Sequence, residues 1–296
     1  MKPVSSLRKI IFLPLALLAC ILIISAQNPP PTENELTLTE AITDGSIEAD
    51  VSSVGKHSGK SVKLIVTNTT SRSLKIIIPA GTTYIPGEDE EQTLIQLEED
   101  FFVLEPKGSK THMIAAFCTE ASDRSPTSGG KFKLSKSSNK KLNEAIVYMK
   151  GKRIDRRSFQ DVVWAITDGH SVSHIQTPNS QTKVFRSYLA ELTGQEDTWY
   201  TSPRQHAIDD QGYIVSQTVV IRGKIAFSSD GTSVIRQEVI DKDGVVRFAR
   251  PPVTPLRSRK VTMDFIIRVR GWEAGDYTLR IMKDDEVLKT YPFELS

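Results

Sequence analysis

Tight-turn signals divide the last third of the chain into short apolar segments. Asp230-Gly231 and Asp243-Gly244 are Asp-Gly pairs, and Asp284-Asp285 marks a third turn. Asp-Gly pairs favour two-residue hairpin turns because both residues tolerate a positive φ angle. The apolar segments have the length and composition of strands, and they cover 213–221, 224–227, 234–240, 245–248, 261–269, 277–282 and 287–293. This series of short strands predicts an antiparallel β-sandwich over residues 212–296.

A short motif near the end of the chain resembles a known kind of exported domain. The segment Ala274-Gly275-Asp276-Tyr277-Thr278-Leu279 resembles the G-x-Y-x-L ending of many bacterial exported immunoglobulin-like and fibronectin-like modules. The resemblance implies an immunoglobulin-like β-sandwich in the last third of the chain. In that fold such a tyrosine starts the sixth strand, and its hydroxyl binds the preceding corner. The two core cysteines of antibody domains are missing, so the resemblance implies the fold without its disulfide.

The first domain, predicted over residues 41–194, begins with strand patterns. Val62, Leu64 and Val66 alternate with Lys63, Ile65 and Thr67, and a turn at 68–71 separates them from an apolar segment at 74–78. A further apolar segment lies at 101–104. The run 113–118 is continuously apolar, which predicts a strand buried on both faces. The pattern favours a second β-sandwich.

The second half of this domain changes to helical spacing. Apolar residues recur every three or four positions over 142–149, 159–166 and 180–193, and a glycine follows each segment. Ser158 stands three residues before Asp161, which resembles a capping box. The third helix is predicted to bury Val184, Tyr188, Leu189 and Leu192. We therefore predict a mostly β chain: a β-sandwich with two or three attached helices, a linker at 195–211, and an immunoglobulin-like β-sandwich.

The N-terminal segment predicts export. Lys2, Arg8 and Lys9 precede a nearly unbroken apolar run that ends at Ala26, the pattern of a signal peptide over residues 1–26. Three fates are open: cleavage after Ala26, lipidation of Cys20, or retention as a membrane anchor. The apolar residues that follow Cys20 favour cleavage. A proline-rich spacer is predicted over residues 27–40, and the mature protein is expected in the periplasm, on the outer surface or outside the cell.

The composition limits the classes of function. The chain has 38 basic and 36 acidic residues, for a net charge of +2, so no global field favours nucleic acid as a partner. Cys118 is the only cysteine left after removal of the signal, and no intramolecular disulfide then forms. We expect no cofactor. No motif for a hydrolase elbow or a zinc protease is present.

A cysteine and a glutamine form the first candidate for covalent chemistry. Gln160 and Trp164 lie in a segment that is similar to the T-Q-x-A-x-W segment of bacterial thioester adhesin domains. The resemblance implies an internal thioester between the Cys118 thiol and the Gln160 side chain, which would bind a host amine covalently. Phe159 and Val162 depart from that motif. The alternative is a structural contact between strand and helix.

Two further groups are candidate sites. Asp168, His170 and His174 contain two imidazoles at a spacing of four, which suits zinc on a helix, although Gly169 favours a polar loop. Basic residues are concentrated between 131 and 157, opposite in charge to an acidic stretch at 88–100. The candidate basic surface consists of Lys140, Lys141, Lys150, Lys152, Arg153, Arg156 and Arg157.

Together these features predict an exported, non-catalytic binding, adhesion or assembly protein of the bacterial envelope or cell surface. Its partner would be a protein or a glycan at the cell surface, and membrane contact would occur only through a retained or lipidated N-terminus. The alternative is a covalent adhesin or thiol-dependent enzyme that uses Cys118.

Overall fold

The computed structural model describes residues 34–255 and 258–296. In these ranges the chain forms nineteen strands and four α-helices, so the predicted mostly β, sandwich-rich fold is confirmed. Cys20, the signal segment and residues 27–33 of the predicted spacer lie outside the described residues. Residues 34–296 form one compact unit.

The N-terminal half contains ten strands, which form three sheets. In chain order they are β1 (Asn34–Thr37), β2 (Ile47–Ser53), β3 (Lys60–Asn68), β4 (Leu74–Ile78), β5 (Thr82–Pro86), β6 (Leu94–Ile95), β7 (Asp100–Leu104), β8 (Ser109–Ala115), β9 (Phe117–Cys118) and β10 (Phe132–Lys136). The sheet orders are β2-β3-β8, β1-β4-β7 and β10-β5-β6-β9. All neighbours are antiparallel except β1 and β4, which are parallel.

Strand alternation builds the core between these sheets. Val62, Leu64 and Val66 on β3 are fully buried, as their spacing predicts. The β4 side chains that face them across the core follow the same alternation, with Leu74, Ile76 and Ile78 buried. Such burial stabilises the fold by roughly 1.5–3 kcal/mol for each large apolar side chain.

The apolar run 113–118 differs from its prediction. It is split at Ala116 into β8 and β9, which belong to different sheets. Ala115 is exposed while Ala116 is buried. The run is continuously apolar because the chain crosses from one sheet to the other at this point, and because Phe117 and Cys118 then lie between a sheet and the helices.

Three helices cover the four-stranded sheet of the N-terminal half. After the short α1 (Leu38–Thr43), the chain forms α2 (Lys140–Met149), α3 (Phe159–Thr167) and α4 (Ser180–Thr193). Their apolar side chains form a second core, with Ile95, Leu97 and Phe117 from the strand side. The bounds of α4 are those that the sequence predicts, and Gly194 ends it with a φ of 76°.

Two details of the helix predictions were wrong. Ser158 makes no capping hydrogen bond to α3, because its hydroxyl accepts from the Gln176 backbone N–H at 3.1 Å instead. Val184 on α4 is 58% exposed. Phe185 and Leu189 occupy the buried face of this helix.

The C-terminal strands form the second sandwich. They are β11 (Tyr200–Thr201), β12 (Arg204–Ile208), β13 (Ile214–Thr218), β14 (Val220–Asp230), β15 (Ile235–Asp241), β16 (Val246–Ala249), β17 (Ser258–Arg268), β18 (Gly275–Lys283) and β19 (Glu286–Leu295). A β11-β14-β17 sheet packs on a β16-β15-β18-β19 sheet around one apolar core. The Tyr277 hydroxyl donates to the Glu273 carbonyl at 3.0 Å, the corner contact expected for this tyrosine.

The structure corrects two predicted connecting segments. Residues 34–40 of the predicted spacer form β1 and the start of α1, because β1 pairs with β4. Residues 200–208 of the predicted linker form β11 and β12. β11 pairs with β14, and β12 forms a hairpin with β13, so 195–211 is part of the fold and not a separate connection.

The described helices are too short or too polar to cross a bilayer. Within residues 34–255 and 258–296, none combines the length and apolar character that a membrane span requires.

Gly223 permits the closest packing in the C-terminal sandwich. A Cβ at this position would lie 2.6 Å from the Trp199 ring and 2.9 Å from the Trp199 carbonyl oxygen. The ring is fixed because its Nε1 donates to the Pro292 carbonyl. We expect Gly223→Ala to lower the free energy of unfolding by about 1–3 kcal/mol, measured by urea denaturation.

Gly87→Ala is the matched control for this substitution. No atom lies within 4 Å of a Cβ at Gly87, so this change is expected to leave the unfolding midpoint nearly unchanged. Equal midpoints for the two variants would contradict the packing described for Trp199.

Candidate functional site

Helix α3 is buried along most of its length. Every residue from Phe159 to Ala165 is buried, which is typical of a helix that has protein on all sides. Gln160 and Asp161 are the polar residues in this stretch. Buried polar side chains require hydrogen-bonding or charged partners, so these two define what α3 binds to.

Gln160 joins α3 to strand β9. Its Oε1 accepts from the Cys118 backbone N–H at 3.1 Å, and its Nε2 donates to the Cys118 carbonyl at 2.8 Å. The structure therefore brings Cys118 and Gln160 together, but through the cysteine backbone. The thiol lies in the apolar core, and burial raises its pKa well above the ordinary value, with a smaller contribution from Glu120. This geometry gives Gln160 a structural role, and the internal thioester stays a prediction.

Histidine side chains surround Trp164, the largest buried side chain of α3. The indole is stacked with His57 at 6.5 Å between ring centroids. His170 and His206 approach it edge-on, at 5.4 Å and 5.2 Å. His174 packs in turn against His170. Three imidazoles contact Trp164 and a fourth contacts one of them. These four side chains, from three separate segments, are called the histidine cluster.

His206 connects this cluster to the β12–β13 hairpin. Its Nε2 lies 3.3 Å from the Asp161 carboxylate, and its Nδ1 lies 2.7 Å from the Ser216 hydroxyl. The hairpin turn is also bound to the N-terminal half, because the Ser125 backbone N–H donates to the Gly212 carbonyl at 2.8 Å. Ile214 packs against the N-terminal core. The hairpin thus covers the Trp164 cluster.

Two of the three predicted metal ligands, Asp168 and His174, are used in other hydrogen bonds. Asp168 accepts from the Ala121 backbone N–H at 2.9 Å and from the Thr167 hydroxyl. His174 Nδ1 lies 3.0 Å from the Ser202 carbonyl, and its Nε2 lies 3.3 Å from the Ser296 hydroxyl. His170 and His174 are not on one α-helix, because α3 has ended before them. Among the residues that the structure describes, no group of three side chains is placed to hold a metal ion.

A polar cleft of about 450 Å³ opens beside the histidine cluster. Its lining comes from the loop after α3, the residue after the α4 cap, the segment that leads into β12, and the end of β19. The lining residues are Gly169, His170, Ser171, Ser173, His174, Gln195, Tyr200, Arg204, Glu294 and Ser296. Sequence reasoning did not assemble this site because its members are distant in the chain. The one sequence signal for this cleft is the concentration of polar residues at 168–174.

The predicted basic surface is divided in two. Lys140 and Lys141 lie at the start of α2, and the other five side chains lie at or beyond its end. A helix of this length spans about 15 Å, so the two groups lie that far apart, at opposite ends of α2. The second group is called the basic loop (residues 150–157). Together with Glu98, Ile154 and Asp155, four of its cationic residues line a cleft of about 550 Å³. They are Lys152, Arg153, Arg156 and Arg157.

The comparisons with known proteins do not identify a family. No family model and no curated protein sequence matches the chain. A Streptomyces venezuelae β-glucosidase, DesR, in complex with D-glucose is 11% identical at a TM-score of 0.19, over 85% of this chain and 48% of that chain. A structure of the CBM51-2 domain in complex with GlcNAc and INT domains from Clostridium perfringens ZmpB is 11% identical at a TM-score of 0.17, over 84% of this chain and 79% of that chain. These TM-scores are too low to indicate a shared fold, so neither structure bears on the function.

Stability is expected to decrease as the pH falls below 6.5. Burial lowers the pKa of His174 to about 4, and burial followed by the nearby His206 lowers the pKa of His57 to about 4. Between these values and the unfolded value near 6.5, the unfolded chain binds more protons than the folded chain. His174 alone is expected to remove up to roughly 3 kcal/mol of stability between pH 6.5 and pH 4.

Urea denaturation at several pH values measures this effect. His174→Gln is expected to reduce the loss of stability across this range. His112→Gln is the control, because His112 pairs with Asp100 on the N-terminal sheets. Identical pH dependence in the wild type and in His174→Gln would contradict the buried, neutral state of His174.

Proposed function

We propose that this chain is an exported, non-catalytic binding protein of the bacterial envelope or cell surface, and that its basic loop binds an anionic glycan. The basic loop carries this proposal. It holds five cationic side chains and one carboxylate, Asp155, in eight residues. The whole chain has a net charge of only +2, so this segment is a local concentration of positive charge.

The geometry of the basic loop supports binding. Ile154 is buried, and the Asp155 backbone N–H donates to the Thr182 hydroxyl at 3.0 Å, so the backbone is fixed to α4. The cationic side chains remain exposed. A fixed backbone reduces the entropy that is lost when a partner binds.

Part of the positive charge is already paired. Arg156 lies 2.6 Å from Glu98, which is one contact between the acidic and basic stretches of the sequence. Arg157 lies 3.1 Å from Asp155. Lys152 is placed 3.5 Å above the Tyr148 ring. Arg153, which lines the cleft, and Lys150 have no acidic partner among the described residues, so they contribute unpaired charge to the basic loop.

The location follows from the N-terminal sequence. A basic start, an apolar run and small residues at 25–26 are the features of a signal peptide. Export would place the basic loop among the anionic polymers of a cell envelope. The mature chain is proposed to begin at Gln27.

The alternative function is covalent attachment through Cys118 and Gln160. The observation behind it is the proximity of the two residues, since the Gln160 side chain contacts the Cys118 backbone between α3 and β9. A mature protein that is lighter by one ammonia, and that regains mass with methylamine, would support this alternative over simple binding.

A charge-reversal comparison tests the proposed binding. The double variant Lys152→Glu/Arg153→Glu is expected to weaken binding to polygalacturonate at least tenfold, because each reversal replaces attraction with repulsion in the cleft. Binding is measured by titration of the mature protein at a fixed, low salt concentration, since salt screens exposed charges.

The matched control reverses two lysines at the other end of α2. Lys140→Glu/Lys141→Glu changes the net charge by the same amount but does not alter the basic loop. It is expected to retain most of the affinity. Equal losses in the two double variants, or no binding by the wild type, would contradict the proposal.

A further inference from the structure

The polar cleft contains an arginine with a single, distant hydrogen-bond acceptor. Arg204 is half-buried, and its Nε is buried without a hydrogen-bond partner. One terminal nitrogen makes a single long contact of 3.4 Å with the Ser216 carbonyl. The guanidinium forms no ion pair with a carboxylate in residues 34–255 and 258–296. A buried donor without an acceptor destabilises a fold, and the Arg204 Nε is such a donor, so this arrangement requires an explanation.

Arg186 shows how the same fold satisfies the terminal nitrogens of an arginine, although its Nε is, like that of Arg204, buried without a partner. Its terminal nitrogens donate to the Tyr200 carbonyl at 2.9 Å and the Thr198 carbonyl at 2.8 Å. One of them also lies 2.7 Å from the Asp197 carboxylate. Arg204 lies only a few residues further along the chain and has none of these contacts. The contrast indicates that the acceptors of Arg204 come from outside the chain.

A second side chain with an unpartnered nitrogen lines the same cleft. His170 Nδ1 is buried and has no hydrogen-bond partner. The backbone of His170 is fixed, because its carbonyl accepts from the Gln195 side chain at 3.0 Å. Burial, and then the nearby charge of Arg204, lowers the pKa of His170. The neutral ring still has one N–H to donate.

The acidic groups around the cleft do not satisfy these donors. Asp161 is the carboxylate whose charge acts on Arg204, but it is buried against His206. Asp168 accepts from Ala121 and Thr167. Glu294 lies at the mouth of the cleft and is exposed. Serine hydroxyls line the remaining wall.

We propose that this cleft binds the carboxylate group of a small polar molecule, with Arg204 and His170 as the donors. An arginine fork matches the two oxygens of a carboxylate. Glu294 and the serine hydroxyls suit hydroxyl or amino groups elsewhere on the ligand. The ligand class is therefore a hydroxylated or amino carboxylic acid. This site is separate from the basic loop and does not depend on its role.

Matched pairs of probes test the carboxylate requirement and distinguish its source. D-Galacturonate is compared with D-galactose, and the dipeptide Ala-Ala with its C-terminal amide, by calorimetric titration of the mature protein. At least one carboxylate is expected to bind saturably, and its uncharged match at least tenfold more weakly. The pair that shows this difference identifies a sugar acid or a peptide-like acid. Absence of saturable binding by both carboxylates, or equal binding within both pairs, would overturn the proposal.

Substitution of the arginine tests the assigned donor. Arg204→Gln is expected to weaken binding of the active probe at least tenfold. Arg222→Gln is the control, because Arg222 is exposed on β14 and does not line the cleft. Unchanged affinity in Arg204→Gln would overturn the assignment.

A measurement without ligand separates binding from folding. If Arg204 serves to bind a ligand and not to stabilise the fold, Arg204→Met is expected to have a melting temperature equal to or above that of the wild type. The active probe is expected to raise the melting temperature of the wild type only. A clearly lower melting temperature for Arg204→Met in the absence of probe would give Arg204 a structural role and overturn the proposal.

Discussion

The burial of α3 is the constraint on which the rest of the structure depends. Trp164 belongs to the core of the N-terminal sandwich, whereas Phe159, Val162 and Val163 belong to the core beneath the other helices. The two cores therefore share one short helix. Its polar residues extend this connection, because Gln160 binds the β9 backbone and Asp161 faces His206 of the β12–β13 hairpin.

This arrangement also explains where ligand sites arise. The hairpin covers Trp164, and the neighbouring loop after α3 meets the end of β19 through the contact of His174 with Ser296. The polar cleft lies where this loop meets the end of β19. Strands and helices end there, so backbone groups and side chains remain available to bind a ligand. The basic loop lies instead where α2 and α3 are joined, and its backbone is fixed to α4. The two proposed sites thus use different connections of the same helical layer.

The elements with local signals were predictable from the sequence. The alternation of Val62, Leu64 and Val66 identified a strand, and Gly194 marked the end of α4, because period and capping are local properties. Residues 200–208 fall in the predicted linker because their polar residues and proline show no strand pattern. Their structure is decided instead by pairing with β13 and β14. The contact between Cys118 and Gln160 was anticipated, but its backbone geometry was not. Arg204 and His170 could not be linked, because only the tertiary fold brings them to one cleft.

Scanning calorimetry of the mature chain tests most directly whether α3 joins these parts into one cooperative unit. Since α3 joins the two N-terminal cores and contacts the β12–β13 hairpin through Asp161 and His206, we predict a single heat-absorption peak whose calorimetric and van't Hoff enthalpies agree. Two separated peaks, with a C-terminal sandwich that unfolds independently of the histidine cluster at Trp164, would contradict the account.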